Sequence, residues 1–178
     1  MIVYDTKNDL LLNSLMKYFD NKINMTTLVE ILQDRSLASL RMIDWFVTKY
    51  SKQYNISYNI DNKLFNVYMN YKSQLKAYSK KQMDPFCRRE RIVLKKHDNE
   101  IITTIGQMNF FRWAIENRVI KFIYENYDEI NKVMKQDNKA NKVKKVNKQS
   151  LSRKKSHNLI SNKKSFTREK NQTILHFD

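Results

Sequence analysis

Glycine, proline and cysteine each occur once in the 178 residues. A single glycine excludes the phosphate-cradling loop of P-loop NTPases and the dinucleotide-binding fingerprint, which need several glycines at fixed spacing. Scarcity of both glycine and proline disfavours a sheet-rich fold with many tight turns. Turns are left to Asn, Asp and Ser. The lone Cys87 permits no intramolecular disulfide, which suits a reducing compartment. With only His97, His157 and His176 beside it, the usual Cys/His zinc spacings are missing. No run approaches the ~18 apolar residues of a membrane span. Met1-Ile-Val-Tyr-Asp5 lacks the basic-then-apolar order of a secretory leader. A soluble intracellular protein without membrane association or cofactor is expected.

Positive charge is what the chain has in abundance. Lys and Arg number 34 against 18 Asp and Glu, a net charge of +16. Residues 135–178 alone hold 13 basic and 3 acidic residues, or +10. The cations there are clustered: Lys142, Lys144, Lys145, Lys148, Arg153, Lys154, Lys155, Lys163 and Lys164. So polar a segment buries too little surface to offset its ordering entropy. The expected organisation is therefore a folded domain over 1–134 and a disordered basic tail over 135–178. Such a tail attracts polyanions by releasing their counterions, and it also has the character of a nuclear import signal.

Periodicity over the first 134 residues gives a mainly α fold: four to five helices and one small β-hairpin. Leu11, Leu15 and Phe19 mark a helix over 7–22, with Asp5 or Thr6 as cap and Asn21 as stop. Thr27-Leu-Val-Glu30 has capping-box spacing and opens a short helix to Gln33. A longer helix starts at Ser36 and buries Leu37, Leu40, Ile43, Val47 and Tyr50. Its start offers few base-reading side chains, which argues against sequence-specific DNA reading by a helix-turn-helix. Residues 56–60 alternate weakly, as a short strand does. Asp61 or Asn62 then caps a helix to Lys81, with Phe65, Tyr68, Tyr71, Leu75 and Tyr78 on one face. Asp84-Pro85 ends it. Arg91–Lys96 and Ile101–Thr104 form the hairpin. Thr104-Ile-Gly-Gln107 caps a helix over 105–134.

Lys72, Lys76 and Lys80 fall at i, i+4 spacing, and Lys81, Arg88, Arg89 and Arg91 follow across the Asp84-Pro85 turn. Like charges in a row repel by a few tenths of a kcal/mol per pair unless an anion lies among them. Arginines at a turn suit bidentate contact with phosphate. An ordinary solvated face, with Arg88 or Arg89 tied to an acid such as Glu116, accounts for the same residues. Tyr and Phe beside lysines are candidate platforms for single-stranded bases, Tyr78 and Phe86 foremost because they lie nearest the turn. A core role is the commoner one for aromatics at helical spacing. Cys87 reads as a buried small hydrophobe. Asp44 with Glu116, or Asp84 with Glu90, could in principle form a carboxylate pair for Mg²⁺ in a metal-dependent nuclease, but nothing in their spacing supports it.

Ser39-Leu-Arg-Met-Ile-Asp-Trp-Phe-Val-Thr-Lys-Tyr50, Tyr71-Lys-Ser-Gln-Leu-Lys-Ala-Tyr-Ser79, Asp84-Pro-Phe-Cys-Arg-Arg-Glu-Arg91 and Thr103-Thr-Ile-Gly-Gln-Met-Asn-Phe-Phe-Arg-Trp113 resemble small uncharacterised proteins of nucleocytoplasmic large DNA viruses, including mimivirus-like giant viruses. The resemblance covers about residues 36–125. It carries no catalytic motif. It implies action at a replication site in host cytoplasm or in the virion. The abundance of Lys, Asn, Ile, Tyr and Phe, products of AT-rich codons, agrees with that origin. The expected function is non-enzymatic nucleic-acid binding, to DNA rather than RNA. The alternative is a virion structural or assembly protein whose domain binds other viral proteins while its tail contacts packaged DNA.

Overall fold

The computed structural model describes residues 7–86, 88, 90–96 and 99–142. The chain divides into two units after Lys135. The first opens with α1 (Lys7–Tyr18) and α2 (Lys22–Leu32). Asn21 does more than end α1. Its side-chain oxygen accepts the Ile23 and Asn24 amides at 2.9 and 3.3 Å and so caps α2. This corrects the expected start at Thr27, whose hydroxyl lies mid-helix and donates back to the Ile23 carbonyl at 2.9 Å. The next start also shifts: Ser39, not Ser36, accepts the Met42 amide at 3.2 Å and opens α3 (Leu40–Trp45). Leu37 therefore precedes the helix and is 56% exposed, not core. A π-helical turn, Phe46–Tyr50, and the short α4 (Ser51–Gln53) continue α3. The wider turn allows Trp45, Phe46, Val47, Tyr50 and Ser51 all to be buried.

β1 (Ser57–Ile60) lies where a strand is expected. Asp61 and Asn62, however, cap no helix. Their φ angles of 47° and 65° are those of a type I′ hairpin turn, and β2 (Lys63–Asn66) returns antiparallel with Tyr58 opposite Phe65. Asn66 then caps α5 (Val67–Tyr78) by accepting the Met69 amide at 2.9 Å. Among the described residues there are thus two hairpins where the sequence suggests one. The second, β3 (Ile92–Lys96) and β4 (Asn99–Thr103), pairs Ile92 with Thr103 and Leu94 with Ile101. It falls where it is expected.

Thr104 caps α6 (Ile105–Glu116) as its spacing to Gln107 predicts, accepting the Gln107 amide at 3.1 Å. The single helix expected over 105–134 is broken twice. Arg118, at φ 56°, separates α6 from α7 (Val119–Glu125), and a turn at Asn126 precedes a helix over 127–135. Residues 136–142, in the second unit, are helical too, so helix passes the boundary expected at Met134. Apolar periodicity marks the buried face and not the backbone breaks. Lys135, Gln136, Lys139 and Ala140 propagate a helix without needing a core.

α6 is central. It packs against α1, α2 and α7 and buries Met108, Phe110, Phe111, Trp113 and Ala114. Methionine and phenylalanine side chains contribute about 1.5–3 kcal/mol each when fully buried. Tyr71 of α5 meets Phe110 edge-on at 6.1 Å and Trp113 at 5.4 Å. The Trp113 indole N–H donates to Asn70 at 2.8 Å. Tyr58 stacks on Phe122 at 5.0 Å, and its hydroxyl donates to the Asn117 carbonyl at 2.8 Å, fixing the first hairpin to the α6–α7 turn. The fold is mainly helical with small β content, as composition and periodicity indicate. Among the described residues no helix is long and apolar enough to cross a membrane.

Candidate nucleic-acid interface

The segment from α5 to β3 carries much of the expected basic patch. Its geometry begins with the end of α5 at Tyr78, where Ser79 turns away at φ 67°. The three-lysine row is therefore shorter than its spacing suggests. Lys72 and Lys76 stay one turn apart on α5, and Lys80 joins Lys81 in the turn. Tertiary docking overrides the helical pattern here, because the turn is drawn onto the start of α6. The Lys81 carbonyl oxygen lies so close to Gly106 that a Cβ there would stand 2.4 Å from it. Gly106 does not have a positive φ. The chain's one glycine is thus required for close approach and not for backbone freedom.

Buried side chains hold the rest of the loop. The Asn109 amide donates to the Gln82 carbonyl at 2.9 Å. The Gln107 amide donates to the Pro85 carbonyl at 2.9 Å, and its oxygen accepts the Thr103 hydroxyl at 3.0 Å. Gln107 therefore turns to the loop instead of closing a reciprocal capping box. Met83 between them is 1% exposed. Loop carbonyls lacking helix or sheet partners are satisfied in this way.

Asp84 anchors the far side. Arg88 donates to it twice, through Nε at 3.0 Å and Nη2 at 2.6 Å, and the Phe86 amide donates at 3.3 Å. The Arg88 guanidinium also lies 5.1 Å from the Phe86 ring centre. This hydrogen bonding, reinforced by the carboxylate's charge, raises the Arg88 pKa. Arg88 is thus bound to Asp84 and not to Glu116, which pairs with Arg112 at 2.9 Å. Asp44 and Tyr71 feel the same charges. Burial pushes the Asp44 carboxyl up, with Arg88 pulling down and Asp84 pushing up. Burial first, then Asp44 and Asp84, push the Tyr71 phenol up to about 12. Of the carboxylates considered for Mg²⁺, Asp84 and Glu116 are each paired with an arginine. Among the described residues no three His, Cys, Asp or Glu gather as metal ligands.

Lys72, Lys76, Lys80, Lys81 and Arg91 are exposed, and among the described residues no carboxylate lies within ion-pair distance of them. Lys95, Arg118 and Lys121, by contrast, pair with Glu100, Asp61 and Glu125. Lys142 is exposed at the last described position. Arg89, Cys87 and the tail residues Lys144, Lys145, Lys148, Arg153, Lys154, Lys155, Lys163 and Lys164 lie outside the described residues, as does the proposed cap at Asp5 or Thr6.

Sequence reasoning missed Lys52. Its ammonium lies 5.6 Å from the centre of the Tyr68 ring, and that of Lys72 lies 5.7 Å from it. Packing of α4 on α5 makes this meeting, and no spacing in the chain announces it. Of the aromatic stripe, Tyr71 is buried, while Leu75 and Tyr78 pack on the core. Tyr78 thus takes the commoner core role and not that of a free platform. Tyr68 and Phe86 are half-buried and, among the described residues, not among those packed on the core.

No solved structure matches this chain. Among curated proteins it is similar to "Uncharacterized protein L507" of Acanthamoeba polyphaga mimivirus, with 39% identity over 145 residues. That alignment covers 75% of this chain and 56% of the relative, so the chain spans little more than half of the relative's length. The similarity indicates a viral origin, in agreement with the resemblance read from the sequence. A family model described as a family of unknown function, DUF7197, matches residues 3–176 and so takes in the tail as well as the helical domain. The chain belongs to the DUF7197 family.

Proposed function

We propose that this is a non-enzymatic nucleic-acid-binding protein of a giant virus, with DNA as the preferred partner. The observation that carries the reading is the exposed set Lys72, Lys76, Lys80, Lys81 and Arg91. No acid neutralises it among the described residues, and part of it sits on a loop held by Gly106, Gln107 and Asn109. A fixed loop presents its cations at less ordering cost than a free one. Phosphate contacts from it set orientation on the backbone without reading sequence. The tail supplies non-specific affinity, at a cytoplasmic replication site or in the virion.

The test is a salt titration of full-length protein on duplex DNA, single-stranded DNA and RNA, beside a variant with Lys72, Lys76, Lys80 and Lys81 all changed to Gln. If six cations engage phosphates, affinity falls ~1,000-fold between about 50 and 200 mM salt. The variant is expected to lose about three to four from the log–log slope on whichever of these polynucleotides the wild type binds most tightly. An unchanged slope removes the loop and α5 from the interface. Protein that ignores every polynucleotide at low salt, yet binds viral structural proteins, establishes the assembly role instead.

A further inference from the structure

We infer that Tyr68, flanked by Lys52 and Lys72, is a stacking subsite for an unpaired base, so that the polynucleotide taken by this domain is single-stranded. The inference rests on the nucleic-acid reading above and adds the strandedness that reading leaves open.

Tyr68 stands apart from the core that takes its neighbours. Along α5 and the strand before it, Phe65 and Tyr71 are buried at 9% and 7% exposure, and Leu75 and Tyr78 pack on the core. Tyr68 lies among them in sequence, but among the described residues it is not packed on that core, and no other ring lies against it. Two ammonium groups lie near it, at 5.6 and 5.7 Å from the ring centre. The Lys72 contact follows from helical spacing. The Lys52 contact does not, because that lysine comes from α4. Two cations of like sign are thus gathered over one ring by tertiary packing. Each is attracted to the ring's negative face and repelled by the other.

An aromatic ring with two flexible lysines against it has the chemistry of a nucleotide's complement. The base stacks on the ring, and the phosphates before and after it take the ammonium groups. Lys76 extends the line by one turn, about 6 Å along the axis, on the order of one nucleotide step of an extended strand. Bases inside a duplex are stacked on each other and offer no face to a side chain. A ring used in this way therefore selects unpaired nucleotides. Phe86, also off the core and lying under Arg88 at 5.1 Å, places a second ring beside a cation in the loop.

The experiment uses the full chain, wild type and with Tyr68→Ala, Tyr68→Phe or Tyr68→Leu, in anisotropy titrations against oligothymidylate, oligouridylate and a mixed-sequence duplex. Tyr68→Ala is expected to weaken single-strand binding about 5- to 150-fold, with duplex binding changed less than about twofold. Tyr68→Phe restores single-strand binding and Tyr68→Leu does not. Loss on either oligothymidylate or oligouridylate supports the subsite, and the larger loss identifies the sugar. Wild-type protein carrying 5-iododeoxyuridine oligothymidylate is irradiated in parallel, and crosslinks are expected in the tryptic peptide 64–72. That readout stands even if Tyr68→Ala fails to fold. Unchanged single-strand affinity in a folded Tyr68→Ala protein, or crosslinks that avoid this peptide, overturns the subsite while salt-sensitive binding keeps the broader function. Wild-type protein that binds no polynucleotide overturns both.

Discussion

Replacing Gly106 by alanine tests how the basic loop is held. The added methyl would stand 2.4 Å from the Lys81 carbonyl oxygen and 3.4 Å from the Asp84 nitrogen. Tolerable carbon–oxygen contacts begin at about 3.3 Å, so loop and helix must part by about 1 Å. Little on either side is free to give. The obstructing atom is backbone, and its neighbours are held by Asn109 to the Gln82 carbonyl and Gln107 to the Pro85 carbonyl, each at 2.9 Å. Overpacking of this kind costs about 1–3 kcal/mol. Alanine returns up to about 1 kcal/mol through helix propensity, and less in a first turn. A net loss of about 1–2 kcal/mol is expected, or roughly 2–8 °C in Tm for a chain of this size. If the loop detaches instead, the buried amides of Gln107 and Asn109 lose their acceptors at about 1–3 kcal/mol each. Thermal unfolding gives the first quantity. Limited trypsinolysis after Lys80 and Lys81 gives the second, because a detached loop is cut faster. An alanine variant as stable as wild type, with unchanged cleavage, would show that the loop does not rest on α6.

Three further outcomes are expected. Thr104→Ala removes the cap on the Gln107 amide and lowers stability by about 1 kcal/mol, visible as a lower denaturant midpoint at constant m-value. Asn62→Gly relieves a left-handed position at φ 65° in a turn that favours glycine there, and raises stability by roughly 0.5–1 kcal/mol in the same assay. Asp44→Asn acts through pH. Burial raises the folded-state pKa above its ordinary 3.8, so the native state holds this proton over a pH window just above that value where the unfolded chain has released it. Wild-type stability then declines as pH rises through the window, and charged Asp44 is a burden at neutral pH. The asparagine variant is expected to melt higher than wild type at pH 7, with the gap closing below about pH 4. A gap independent of pH refutes that account.

What was legible in the chain was what local chemistry decides. Thr104 and Gln107 stand at cap spacing and form a cap. The alternation around 91–104 is a hairpin. A chain with one glycine was expected to build turns from Asn, Asp and Ser, and the described positive-φ residues are Asp34, Asn55, Asp61, Asn62, Ser79 and Arg118. Asp61 and Asn62 were misread because the side chains that cap helices also tolerate the left-handed turn, and no glycine tips the balance. Arg118 left no trace, since apolar spacing runs unbroken from α6 into α7 while the backbone turns. At the candidate site the exposure of the lysines could be anticipated. The Asp84–Arg88 pair stands at i, i+4, which signals contact only in a helix, and this segment is not one. The meeting of Lys52 with Tyr68 depends on α4 docking against α5, which no local pattern carries.

The distribution of buried polar groups bears on the function proposed above. Among the described residues the buried polar side chains are Ser51, Asp84, Thr103, Thr104, Gln107 and Asn109. Ser51 bonds back to its own helix at the Val47 carbonyl. The others lie in the loop or in the segment that receives it. Desolvating such groups is unfavourable unless each finds a partner, and here each has one. An apolar residue at 107 or 109 would bury more cheaply but would leave the Pro85 or Gln82 carbonyl without its donor. The network therefore contributes less to net stability than to selecting one loop conformation. That conformation sets Lys80 and Lys81 on the outside, with their backbone fixed against α6. Under the proposed function, rigidity on the inner side of the loop would lower the entropy lost on binding an extended polyanion, whereas a solubilising face would gain nothing from being held still.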